Sequence, residues 1–67
     1  MKEYNVLQYG AVGDGATNDA FAIQHAIDDC AKNGGGRVVL QSGYVFYRDS
    51  IRLRSNVDLH IQKGARL

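Results

Sequence analysis

The sequence has one cysteine, no proline and no run of charge of a single sign. No apolar stretch approaches the ~20 residues that a membrane-spanning helix needs. Each absence removes a class of protein. A lone Cys30 rules out a disulfide framework within one chain. With only His25 and His60 beside it, the paired ligand spacing of a structural zinc site is missing too, so no metal is expected. Eight basic and seven acidic side chains are interspersed, for a net charge of +1 and a pI of about 7.9. A nucleic-acid-binding domain usually carries a basic stripe and a pI above roughly 9. The opening Met1-Lys2-Glu3-Tyr4-Asn5 lacks the apolar segment of a secretory signal. The expectation is a chain that meets neither nucleic acid nor membrane. It is either cytoplasmic or a secreted protein whose leader has been removed. The single cysteine suits a reducing compartment without requiring one.

The chain is 67 residues long, and 45% of them are hydrophobic. A domain this short buries only about 60% of its unfolded surface, which leaves its stability marginal. Small scaffolds usually add a staple. With disulfides and zinc excluded, the expected routes are self-association or more polypeptide beyond Leu67.

Tyr4 to Gln8, with Val6 and Leu7, reads as a short strand. Gly10-Ala-Val-Gly-Asp-Gly15 followed by Thr17, Asn18 and Asp19 predicts a loop. Asn18 and Asp19 are good N-cap residues. From Ala20 to Lys32 the apolar positions Ala20, Ile23, Ile27 and Cys30 step by three or four, which predicts an amphipathic helix. Ala26 and Ala31 widen its stripe. Phe21 lies off the stripe and is expected to pack on what precedes the helix. Asn33-Gly-Gly-Gly36 stops the helix, and the extra glycines predict a tight reversal into the next strand.

After Gly36 the period changes. Arg37–Leu40, Tyr44–Tyr47, Ile51–Leu53, Val57–Ile61 and a start at Ala65 are short β runs, separated by polar breaks without hairpin turn signals. Such spacing is the mark of a parallel β-solenoid; an antiparallel meander is the competing arrangement. Inward positions are expected at Val39, Val45, Ile51, Leu53, Val57, Leu59, Ile61 and Leu67. A coil of this kind cannot bury its apolar side alone, and a solenoid end needs a cover. The reading is therefore mainly β: residues 1–36 as strand, loop and capping α-helix, and residues 37–67 as the first coils.

The ordered series Asn5-Val-Leu-Gln-Tyr-Gly-Ala-Val-Gly-Asp-Gly15, Thr17-Asn-Asp19, Ala22-Ile-Gln24, Gly34-Gly-Gly36, Val38-Val-Leu40, Ser42-Gly43, Ile51-Arg-Leu-Arg-Ser-Asn-Val57 and Lys63-Gly-Ala65 carries a resemblance. It resembles the start of pectin-degrading right-handed parallel β-helix enzymes, most closely the polygalacturonase family of glycoside hydrolases. Two positions depart from that pattern. Asn18-Asp19 stands in place of an acidic pair. Gln41 stands in place of a proline, which removes a rigid turn residue from that corner. The resemblance implies a right-handed β-helix and a parent enzyme that hydrolyses pectin-like polygalacturonan. Its catalytic aspartates would lie on later coils, so no catalytic residue is assigned here and the chain alone is expected to be inactive. A carbohydrate-binding, tailspike-like solenoid without hydrolysis and a small self-associating module are the alternatives.

Several residues invite a functional reading and have a structural one beside it. The Gly10–Gly15 segment does not have the spacing of a phosphate cradle, and no cofactor is expected. Asp14 and Asp19 could act as an acid–base pair or hold calcium, but each has a turn or cap role open to it. His25 and His60 are expected on solvated faces. Cys30 is expected as a small buried hydrophobe. Arg37, Arg48, Arg52, Arg54 and Arg66 suit recognition of an acidic sugar and equally a solvated strand face. Tyr44, Phe46 and Tyr47 could stack on a sugar or pack beneath the cap.

Overall fold

The computed structural model describes residues 2–47 and 51–65. The element order is β1 (Glu3–Asn5), a 3-10 turn (Val6–Tyr9), β2 (Asp14–Asn18), α1 (Ala20–Lys32), β3 (Gly36–Leu40), β4 (Val45–Tyr47) and β5 (Val57–Ile61). The described strands are parallel. β1, β3 and β5 form one sheet with β3 in the centre, and β2 pairs with β4 in a second. Tyr4 stands opposite Val38, and Val38 opposite Leu59. The meander is thereby excluded for these strands, because each pair is reached by winding in one direction rather than by reversal. The architecture is mainly β with parallel strands and one helix. No helix among the described residues is long and apolar enough to cross a membrane.

The helix forms over the predicted range. Its stripe of Ala22, Ile23, Ala26, Ile27 and Cys30 is buried. It packs on Tyr4, Val6, Val38, Leu40 and Phe46, which completes the apolar core. Ile23, Ile27, Val6, Val38, Leu40 and Phe46 are fully excluded from solvent. Burial at that level contributes about 1.5–3 kcal/mol per large aliphatic or aromatic side chain. Phe21 departs from expectation: it is 91% exposed rather than packed on the described residues that precede the helix.

At the C-terminus the Gly35 N–H reaches the Cys30 carbonyl at 2.8 Å and the Gly34 N–H reaches that of Ala31 at 3.2 Å. Gly34 has φ of +93°. This is a Schellman closure, in which a left-handed residue lets the last carbonyls find donors. Gly36 has a different reason to be glycine. A Cβ there would lie 2.5 Å from the Lys2 carbonyl oxygen. The chain thus reverses at a point where two backbones nearly touch.

Four expectations shift. The first strand ends at Asn5, because the Asn5 side chain accepts a hydrogen bond from the Leu7 N–H and turns the chain into a 3-10 helix. The stretch read as a loop contains β2, fully exposed and irregularly paired with β4. Exposure on both faces erased the alternation by which a strand is recognised. The inward phase is also off by one residue in β3 and β4. Val38, Leu40 and Phe46 enter the core, whereas Val45 is 45% exposed. Val39 is buried but lies outside the helix-packed cluster. Val57 and Leu59 do pack against the core, half-buried. The run from Ile51 is not a strand: Ile51 packs on the core, Leu53 is 60% exposed, and Ile61 is 42% exposed. Leu67 lies outside the described residues.

Candidate functional site

Asp14 and Asp19 do not form a pair that could exchange a proton. Both carboxylates are taken up by backbone. Asp19 is only 3% exposed and accepts from the N–H groups of Val12 (2.9 Å) and Gly13 (3.0 Å). It stands at the N-cap without making the cap hydrogen bond. Asn18 takes part of that role, its Oδ1 accepting from the Ala20 N–H at 3.1 Å. Asp19 is the post around which the glycine loop bends. Asp14 accepts from the N–H groups of Thr17 (2.8 Å) and Ala16 (2.9 Å) and from the Thr17 hydroxyl (3.0 Å). The Thr17 N–H, then that of Ala16, hold its carboxyl below the usual carboxylate value. Gly13 lies under the Tyr44 ring, so closely that a Cβ would sit 2.7 Å from Cδ1. The glycine loop is a packing surface rather than an anion cradle.

His25 and His60 are exposed, as expected. His25 leans on the Tyr9 ring with 5.4 Å between centroids. Tyr9 donates to Asp29 at 2.7 Å, and that hydrogen bond, with partial burial, pushes its pKa up to about 12. Tyr9 is therefore a fixed donor at neutral pH. Cys30 is fully buried, and desolvation pushes its thiol pKa up, which removes it as a nucleophile. Tyr44 and Phe46 stack on each other, 5.9 Å between centroids, with Phe46 in the core. They pack rather than form a platform; the Tyr47 side chain lies outside the described residues. Among the described residues no group of three or more His, Cys, Asp or Glu is placed to hold a metal.

The arginines divide. Arg37 stands opposite Glu3 on one side and Asp58 on the other. Its guanidinium meets Asp58 at 3.1 Å and Glu3 at 3.8 Å, an acid–base–acid rung across three strands. Arg48 and Arg66 lie outside the described residues. Arg52 and Arg54 line an open groove of about 660 Å³, together with Ile51 and the helix residues Gln24 and Asp28. Gln24 and Asp28 are four apart and share a helix face. The Gln24 amide grips the Arg52 backbone from both ends: its Oε1 accepts from the Arg52 N–H and its Nε2 donates to the Arg52 carbonyl at 2.9 Å. Arg54 pairs with Asp28 at 3.2 Å. In this groove the described residues gather guanidinium, carboxylate and amide groups around a hollow.

Sequence reasoning named the two arginines but missed Gln24 and Asp28 as their counterparts. The readable signal was a pair four apart on a helix facing a pair two apart on extended chain. The Gln41 corner is also tied more firmly than expected, because Asn5 donates to the Gln41 side chain at 2.9 Å.

A family model described as rhamnogalacturonase A/epimerase, pectate lyase-like, matches residues 4–60. The exo-poly-α-D-galacturonosidase of Dickeya chrysanthemi is 42% identical over 66 residues, 98% of this chain and 10% of that protein. Alginate lyase 7 of Azotobacter vinelandii is 61% identical over 41 residues, 61% of this chain and 5% of that protein. The crystal structure of PfbA, a surface adhesin of Streptococcus pneumoniae, superposes with a TM-score of 0.86 at 36% identity, covering 96% of this chain and 15% of that one. The chain thus spans a tenth or less of the length of the two curated enzymes.

Proposed function

Because the chain belongs to the rhamnogalacturonase A/epimerase, pectate lyase-like family, we propose that it forms the capped start of a right-handed parallel β-helix that acts on an acidic polysaccharide. In this reading residues 1–36 supply the lid and residues 37–67 the first coils. The carrying observation is the parallel stack β1–β3–β5, closed on one side by α1. β5 offers its free edge, with Val57 and Leu59 only half-buried, to a following coil. The two enzymes above act on galacturonan and alginate, both polymers of uronic acids. The substrate class proposed is therefore a polyuronide, and pectin-like galacturonan is the favoured member.

Hydrolysis is the proposed reaction. It needs two carboxyl groups about 6.5–9.5 Å apart for inversion, one to protonate the leaving oxygen and one to activate water. Asp14 and Asp19 are committed to backbone donors, so the pair would come from other coils. The test is turnover of polygalacturonate by the polypeptide encoded with whatever follows Leu67. Reducing ends without an unsaturated product support hydrolysis. An ultraviolet-absorbing unsaturated product means elimination, and inverted sugar residues in an intact polymer mean epimerisation. The 67 residues alone should give no turnover.

A second reading rests on the adhesin likeness. The same architecture would then bind its partner without cleaving it. Retention of polyuronide without any product would favour it. Self-association along the free edge of β5 would replace the following coil with a second copy, and sedimentation would show a discrete oligomer.

A further inference from the structure

A groove lies between α1 and residues 51–54. It is lined by Ile51, Arg52 and Arg54 and by Gln24 and Asp28 on one face of the helix. Phe21 lies one turn before Gln24 on that face and is 91% exposed. Leu53, between the two arginines, is 60% exposed. Two arginines thus line the groove, and Phe21 and Leu53, their neighbours along the helix face and the chain, add exposed apolar surface. The Asp28 carboxylate already sits 3.2 Å from Arg54, so the guanidinium is presented at a geometry that a carboxylate can fill. Among the described residues no carboxylate is paired with Arg52. The Gln24 clamp fixes the Arg52 backbone, which reduces the ordering that a ligand would otherwise impose.

We propose that this groove binds a uronic acid carboxylate of an acidic polysaccharide on Arg52 and Arg54. The proposal rests on the polyuronide reading above for the identity of the anion. The ligand carboxylate docks on Arg52 and competes with Asp28 for Arg54. The apolar face of the sugar ring lies towards Phe21. Gln24 is a positioning residue, acting through the Arg52 backbone. Asp28 is an internal competitor, which keeps Arg54 neutralised while the groove is empty.

The experiment is titration of the whole chain with trigalacturonate, followed by amide resonances, with the neutral carboxyl-reduced trisaccharide in parallel. Shifts confined to residues 51–54 and the Phe21–Asp28 face, seen with the acid only, are expected. Arg52→Ala and Arg54→Ala should each weaken binding about twofold to fivefold, the range for an exposed ion pair. Asp28→Asn removes the same ion pair as Arg54→Ala, yet should tighten binding several-fold. These opposite signs separate ligand recognition from damage to the fold. Equal binding of the neutral sugar, unchanged affinity in the arginine variants, or weakening by Asp28→Asn would overturn the proposal. Absence of any binding to the chain would overturn it too. The polyuronide reading is judged separately, by turnover of the longer polypeptide.

Discussion

The half of the molecule built on α1 and β3 and the half running from Ile51 to Ile61 are held by different forces. In the first, Ile23, Ile27, Val38 and Leu40 are fully buried. In the second, Ile51, Val57 and Leu59 pack on the core only half-buried, Leu53 is largely exposed, and the polar contacts to the helix are the Gln24 clamp and the Arg54–Asp28 pair. Exposed ion pairs contribute little, typically 0–1 kcal/mol. The contrast teaches that one coil and its helix make a finished core, while the next coil is docked on it through its edges and remains apolar on a side that the described residues leave uncovered.

Paired truncations should break or confirm that contrast most sharply. Ile27→Ala should cost about 2–5 kcal/mol by denaturant unfolding, while Leu59→Ala should cost only about 1 kcal/mol, since its side chain is only partly buried. Equal losses would mean that the second coil shares the core. Next in size is Gly36→Ala, at about 1–3 kcal/mol for forcing a side chain into a left-handed, crowded position; the β1–β3 pairing should loosen first, visible as faster amide exchange at Arg37, whose N–H bonds the Lys2 carbonyl.

Asp19→Ala should cost about 1–3 kcal/mol, because the N–H groups of Val12 and Gly13 lose their acceptor. Its effect should fall on the glycine loop and leave β5 exchange unchanged. The smallest effect concerns Tyr9. Its folded pKa lies above the ordinary value of 10.0, at about 12. Its stabilisation is therefore complete below pH 10 and is lost as pH rises towards 12. A Tyr9→Phe variant should lack that alkaline loss and differ by under ~1 kcal/mol at neutral pH, since the Tyr9–Asp29 contact is only partly buried.

The helix was legible because thirteen residues repeat one period and end in glycine. β3 and β5 were legible from β-branched runs between polar breaks. β2 was not, since a strand exposed on both faces and built of Asp, Gly, Ala, Thr and Asn carries no strand pattern. The phase of β4 was misread because Val45 and Phe46 are both apolar and three residues cannot fix an alternation. The Asp19 post was hidden for another reason: its partners, Val12 and Gly13, are backbone groups with no sequence signature. Gln24 and Asp28 looked like the solvated side of a helix, and half of what they do depends on where Arg52 arrives in space.

The parallel ladder sets the order in which this chain can fold. Tyr4 waits for Val38, Gly36 waits for Val57, and Asp14 waits for Val45. None of these strands can nucleate with a hairpin neighbour, so each rung requires closure of a long loop before it gains anything. Only α1 and the 3-10 turn at Val6–Tyr9 can form from local contacts. During synthesis much of the apolar stripe of α1 must stand uncovered until Val38 and Leu40 emerge, and in that interval the chain is most exposed to capture by a chaperone or by another copy of itself.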